Sequence, residues 1–160
     1  MTLNPQLGLC MAVGLVATAE DLWRRQISNW IPLTGLVTGL AWHGYTGGWS
    51  GALNSLAGTA AGFLVFLVFY VLGGMGGGDV KLMASFGAIL GWRGVLWASL
   101  WTAAVGGVLA LLVIGGRKIW RWFAGRVLGR PSAAAEDDSI PYAPAIALGG
   151  LLGWASISLQ

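Results

Sequence analysis

The sequence predicts an all-α, polytopic membrane protein. Six transmembrane helices form a single domain over residues 1–160, and a further helix lies in the membrane interface. Three observations carry this reading. Of the 160 residues, 56% are hydrophobic and 9% charged, where a soluble domain carries about 25% charged residues. Six apolar runs approach the length needed to cross a bilayer. When those runs alternate across a membrane, the basic residues collect on one side.

The first run covers 3–22. It lacks the basic stretch that opens a signal peptide, and Leu9 before Cys10 is not the small residue of a lipoprotein cleavage site, so it is expected to be retained. Cys10 is the one cysteine, which leaves no disulfide, no CxxC redox pair and no cysteine zinc site within the chain. It reads as core packing. The second and third runs cover 31–45 and 52–73. Glycine pairs at four-residue spacing, Gly35/Gly39, Gly47/Gly51, Gly58/Gly62 and Gly87/Gly91, mark close helix packing. The fourth run, 80–92, is short. Asp79 and Lys81 bracket one end, Trp92 and Arg93 the other. Such a segment fits where a helix begins in a cavity lined by protein.

The fifth run, 94–115, leads into "GGRKIWRWFAGRVLGRPSAAAEDDS". Ile119, Trp122, Phe123 and Val127 recur at helical spacing among Arg117, Lys118, Arg121 and Arg126. This predicts an amphipathic helix within 115–130 lying against anionic lipid. A membrane surface accounts for the positive charge without nucleic acid. Glu136, Asp137 and Asp138 then read as solvated acids beside the N-terminus of the last run, 140–158.

Alternation of the six runs puts Arg24, Arg25, Lys81, Arg117, Lys118, Arg121, Arg126 and Arg130 on one side and Arg93 alone on the other. The basic side is cytoplasmic by the positive-inside rule. Both termini then lie outside, in the periplasm of a bacterium whose inner membrane holds the chain. Of ten tryptophans, Trp23, Trp30, Trp42, Trp49, Trp92, Trp120, Trp122 and Trp154 fall near predicted span ends, as an aromatic belt. His43, the single histidine, reads as a polar interfacial residue, and no metal site is expected.

Three acids remain: Glu20, Asp21 and Asp79. Asp21 ends the first run and Asp79 opens the fourth, so both lie at cytoplasmic ends of spans. Each also has a plainer reading. Asp79 stands where a helix N-cap would, and Asp21 precedes Arg24 and Arg25 at ion-pair spacing. Before Asp79 the chain reads "GGMGGG". So many glycines permit positive φ and close approach of another backbone, or serve as a flexible connection. Glu20 points about 100° away from Asp21 on a helix and reads as a headgroup-level acid.

If Asp21 and Asp79 meet, like charges at short range leave the pair with one shared proton. The ionised carboxylate takes a proton from water while the protonated one polarises a peptide carbonyl. This is aspartic-protease chemistry and calls for no metal or cofactor. The pair titrates as a unit, so base and acid are not assigned to one residue each. A proton-coupled transporter or channel also uses intramembrane acids, but would carry polar residues onward through the bilayer. Past Lys81 the helix offers only Ser85, and the first run only Thr18 near Asp21. A non-catalytic scaffold for pilus or secretion assembly is the other alternative.

"GGGDVKLMASFGAILGW", Gly76 to Trp92, resembles the GxGD region of the type IV prepilin peptidases. Upstream, "DLWRRQISNWIPL" is similar to the family's first-aspartate segment through Asp21, Arg24, Arg25, Ile27 and Asn29. It departs from it at Ser28, where proline is usual. "IPYAPAIALGGLL" resembles the closing helix motif through Pro141, Tyr142, Pro144 and Gly149.

The resemblance implies a membrane aspartic endopeptidase with Asp21 and Asp79 as catalytic residues. It would remove the basic leader of prepilins at the cytoplasmic face, typically after a glycine and before the pilin's hydrophobic helix. Larger members carry a cysteine-paired cytoplasmic domain and N-methylate the product. This sequence is similar to the short form of Tad/Flp pilus systems, so cleavage without methylation is expected. A mechanism sketched on this basis gives supporting roles to further residues. The segment Gly73–Gly78, with Gly76 and Gly78, borders an extended substrate. Lys81 orients the leader or tunes Asp79, unless it only anchors its span. Asn29 bonds near the site or caps the second helix. Tyr142 and Pro144 border the substrate groove or simply start the last helix.

Overall fold

The structure is a computed structural model and describes residues 4–127 and 142–159, with the helix but not the side chains of residues 114 and 117–127. Among the described residues all regular structure is helical, in four helices: α1 Pro5–Arg24, α2 Trp30–Val71, α3 Gly77–Val127 and α4 Ala143–Ser158. The backbone of the expected interfacial segment is helical as far as Val127. Its lipid-facing character, and the acids Glu136 to Asp138, lie outside the described residues.

Four helices hold the six apolar runs because two of the expected connections are single glycines. α2 has 42 residues, roughly 63 Å if straight, about twice the hydrocarbon thickness of a bilayer. It breaks at Gly48, with φ 57° and ψ −139°, a conformation closed to residues with a side chain. The chain doubles back there, since a Cβ on Gly51 would strike the His43 carbonyl oxygen. α3 breaks at Gly91, with φ 73° and ψ 179°. Met83 and Val95, on either side of that break, both border Gly62, although a straight helix would hold them roughly 18 Å apart.

A break inside an apolar helix frees backbone groups that need new partners. Ser55 Oγ donates to the Ala88 carbonyl at 2.9 Å, and Asn54 Oδ1 accepts the Trp92 N–H at 3.3 Å. Gln6 Nε2 donates to the Ile89 carbonyl at 3.4 Å, with His43 Nε2 3.0 Å from the same oxygen. His43 thus serves the Gly91 turn, a more specific task than an interfacial position suggests.

The first stretch of α3 is the centre of the bundle, with every residue from Leu82 to Leu90 buried. α2 crosses it backbone to backbone, because a Cβ on Gly58 would collide with the Gly87 carbonyl and one on Gly87 with Gly58. Two Gly–x–x–x–Gly pairs of the sequence therefore pack on each other. α4 lies against the later part of α3, with Gly149 and Gly153 over Thr102 and Ala98. Cys10 is buried in the same core. The exterior is the reverse of a soluble protein: Trp23, Tyr45, Trp49, Leu64, Val71 and Leu111 are all exposed. α2 and the stretch Gly77–Val113 of α3 are long and apolar enough to cross a membrane.

Candidate active site

The glycine run before Asp79 divides into separate tasks. Gly73, φ 75°, terminates α2. Its N–H reaches the Tyr70 carbonyl at 2.9 Å and the Gly74 N–H reaches that of Phe69 at 2.9 Å, the paired bonds of a Schellman motif. Gly76 immediately precedes α3 and gives its N–H to Asp79 Oδ2 at 3.2 Å, while Asp79 N–H returns to the Gly76 carbonyl at 3.1 Å. Asp79 therefore does cap its helix, as half of a capping box, yet it is buried. Gly78 admits a neighbour: the Ile27 side chain lies 3.1 Å from where its Cβ would stand.

Asp21 occupies the last turn of α1 and is as buried as Asp79. Its Oδ2 accepts the backbone N–H of Ala143 at 3.1 Å, the first residue of α4. The aspartate ends up inside the bundle, on the N-terminus of another helix, where partial positive charge favours a carboxylate. α1 closes with Arg25 in the left-handed region, φ 51°, its N–H on the Asp21 carbonyl at 2.8 Å.

Two contacts bring the carboxylates to one level. The tip of the Phe86 ring lies beside Gly14, and Ile27 lies beside Gly78. Gly14 is seven residues before Asp21, and Phe86 seven after Asp79. Two turns of antiparallel helices thus return both aspartates to one depth and one face.

The other expected residues sit around this pair. Lys81 is two positions past Asp79 and so points about 200° away on the helix. Its Nζ donates to Asn29 Oδ1 at 2.9 Å, joining α3 to the start of α2. Asn29 holds the N-cap position of α2, but its side chain makes no capping bond. The expected cap gives way to the lysine, a charged donor and a stronger partner. Both line the mouth of an apolar cavity of about 610 Å³ between the two halves of α2, on the side of α3 that Asp79 does not face. Tyr142 is the N-cap residue of α4, and Pro144 lies in its first turn, where a missing N–H costs nothing.

Glu20 does not join the pair. Its carboxylate accepts the Ser28 N–H at 2.8 Å and the Ser28 hydroxyl at 2.5 Å. The departure from proline at Ser28 has thus acquired a use, pinning the turn between α1 and α2. Among the described residues no group of three His, Cys, Asp or Glu side chains is positioned to hold a metal ion. The Ala143–Asp21 bond was invisible in the side-chain pattern. Its one trace is "YAP", a helix start at Ala143 marked by the following proline.

The profile of the type IV leader peptidase family matches residues 8–111, which include both aspartates. The chain belongs to that family. It is also 34% identical over 102 residues to the prepilin leader peptidase/N-methyltransferase of Bacillus subtilis (strain 168), covering 62% of this chain and 35% of that protein. The chain thus spans about a third of the length of this curated relative. No solved structure matches it. As a type IV leader peptidase family member with an inside-out distribution of apolar surface, it is a membrane protein. Tyr142 and Pro144 fall beyond the matched residues.

Proposed function

We propose that this protein is an aspartic endopeptidase that removes the basic leader of prepilins at the cytoplasmic face of the bacterial inner membrane. Asp21 and Asp79 are its catalytic residues. One observation carries the reading: two buried carboxylates from helices far apart in sequence stand at one level, each tied through Oδ2 to a backbone N–H. Among the described residues no hydrogen bond to Oδ1 of either is seen, and in this reading Oδ1 of each meets a water and the carbonyl it attacks. With one proton between them, the pair deprotonates that water and protonates the amine that leaves.

The leader's positive charges stay in the cytoplasm, and the pilin's apolar helix packs laterally against the bundle. The scissile bond lies extended beside Gly73–Gly78. The reading includes six crossings, turned at Gly48 and Gly91, with both termini periplasmic and the basic segment after Gly116 on anionic lipid. It also includes a substrate of the Tad/Flp type and no methyl transfer. Resemblance in the GxGD and first-aspartate segments, the family match and the leader-peptidase activity for which the Bacillus relative is named support the peptidase part of this reading.

The test is co-expression with a small prepilin, read by mass as loss of the leader. Asp21→Asn and Asp79→Asn, each alone, should lower cleavage by about 10²–10⁴-fold, the contribution of a positioned acid or base, at unchanged expression. Full-rate cleavage by either variant refutes the two-aspartate mechanism. A product heavier by one methyl group refutes cleavage alone.

A further inference from the structure

A second cavity, of about 240 Å³, lies between the end of α2, the later part of α3 and the head of α4, and the two-carboxylate chemistry does not use it. Phe66 and Phe69 near the end of α2, Met75 in the glycine connection, Gly106 and Gly107 on the later part of α3, and Tyr142 at the head of α4 line it. Two of these residues adjoin the backbone groups that hold the carboxylates. Met75 precedes Gly76, which donates to Asp79, and Tyr142 precedes Ala143, which donates to Asp21. The cavity therefore borders both grips at once. The larger cavity at Lys81 borders neither.

The two α3 glycines are unlike those at the helix crossings. A Cβ on Gly58, Gly87 or Gly149 would run into backbone, so close packing demands their bareness. A Cβ on Gly107 would meet nothing within 4 Å, and one on Gly106 would only touch the Tyr142 ring at 3.6 Å and Ala145 at 3.7 Å. Glycine in a helix interior sacrifices stability relative to alanine. At Gly106 and Gly107 no backbone contact demands it, and both border the cavity.

We propose that this cavity is a specificity pocket that takes one bulky apolar side chain from the first turn of the substrate's hydrophobic segment. The proposal rests on the peptidase reading above. The volume is below the ~300–1,000 Å³ of pockets that enclose a drug-sized ligand, and suits a single side chain but not a helix. Ser99 and Thr102 aside, its lining is mostly apolar, and it carries no charge that could pair with a basic leader. It also runs from the glycine connection inward along α2 toward Phe66, the direction in which the apolar segment must lie.

The experiment uses the full-length protein in lipid nanodiscs and a set of prepilin substrates. Each position of the first hydrophobic turn is changed in turn to Ala, Leu and Phe. One position should show a preference for Leu or Phe over Ala of about tenfold or more in kcat/KM, the scale on which an apolar pocket discriminates. Gly107→Leu, filling the pocket from an open site, should abolish that preference while cutting the Ala substrate within about twofold of wild type. Gly44→Leu, also at an open site but remote from the cavity, should leave the preference intact. The proposal is overturned if no position shows a size preference, or if Gly107→Leu slows all substrates alike or none. Asp21→Asn and Asp79→Asn run beside it separate the two readings. If they cleave at the wild-type rate, the carboxylate mechanism fails while a Gly107-dependent size preference still stands. A wild-type protein that cuts none of the set refutes both.

Discussion

Asp21 and Ala143 are 122 residues apart in the chain and are joined by a buried hydrogen bond of 3.1 Å. The donor is the first backbone N–H of α4, so the start of that helix orients an aspartate near the end of α1. Ala143→Pro deletes this donor at the first helical position, where proline is tolerated, and its ring presses on the carboxylate. The fold should survive with a thermal transition lowered by a few degrees, since Ala143 is fully buried and a following proline disfavours the αR conformation of Tyr142. The turnover rate should fall about tenfold to a hundredfold, the usual cost of a misplaced catalytic group, with KM little altered. A rise in KM at constant kcat would instead assign the head of α4 to substrate binding alone.

The bond from Lys81 to Asn29 predicts a different pattern. It ties α2 to α3 on the side away from Asp79, so Asn29→Ala and Lys81→Gln should cost a few-fold in activity and an equal loss in the double variant. Exposed charge-assisted bonds contribute modestly. If Lys81→Gln abolished cleavage as completely as Asp79→Asn, the lysine would belong to the chemistry, and the orientation of its side chain would need another explanation.

Gly58 offers a test of the crossing itself. Its missing Cβ would occupy the Gly87 carbonyl oxygen, and neither backbone is free to yield. Gly58→Val should destabilise the protein by about 3 kcal/mol, at the upper end of ordinary overpacking, and lower its yield from membranes. Gly44→Val, where a side chain meets open space, should change the thermal transition little.

The turns at Gly48 and Gly91 predict topology. In a Cys10→Ser background, single cysteines at Ser50 and Arg93 should react with an impermeant maleimide from outside intact spheroplasts. Single cysteines at Gln26 and Gly74 should react only after permeabilisation. Labelling of the Ser50 position from the cytoplasmic side alone would remove the six-crossing arrangement.

Much of the fold was legible because apolar runs and glycines leave a direct mark. The gap expected between 45 and 52 contains the break at Gly48, whereas the break at Gly91 comes two residues before the limit expected at 93, inside the fourth run. Only the notion of a connecting loop was excessive, since one residue at positive φ does that work. Asp21 and Asp79 stood out because a carboxylate beside an apolar run is rare. What stayed hidden was the set of partners that are backbone atoms. The Ala143 N–H, the Ala88 and Ile89 carbonyls and the Trp92 N–H have no letter in a sequence. Gln6, Asn54 and Ser55 therefore gave no sign of serving the Gly91 turn. Asn29 and Ser28 were read from position alone. Their side chains went instead to Lys81 and Glu20, whose proximity depends on how α1, α2 and α3 pack.

The Phe86 ring lies against Gly150 with its tip beside Gly14, where Ala147 of α4 also packs, so one rigid plate sits at the junction of three helices. The gap between the two acids is consequently gauged from a point two turns deeper in the bilayer. Trimming that plate to leucine would let the shafts lean together and retune the distance at their tips, without altering any atom that handles a proton.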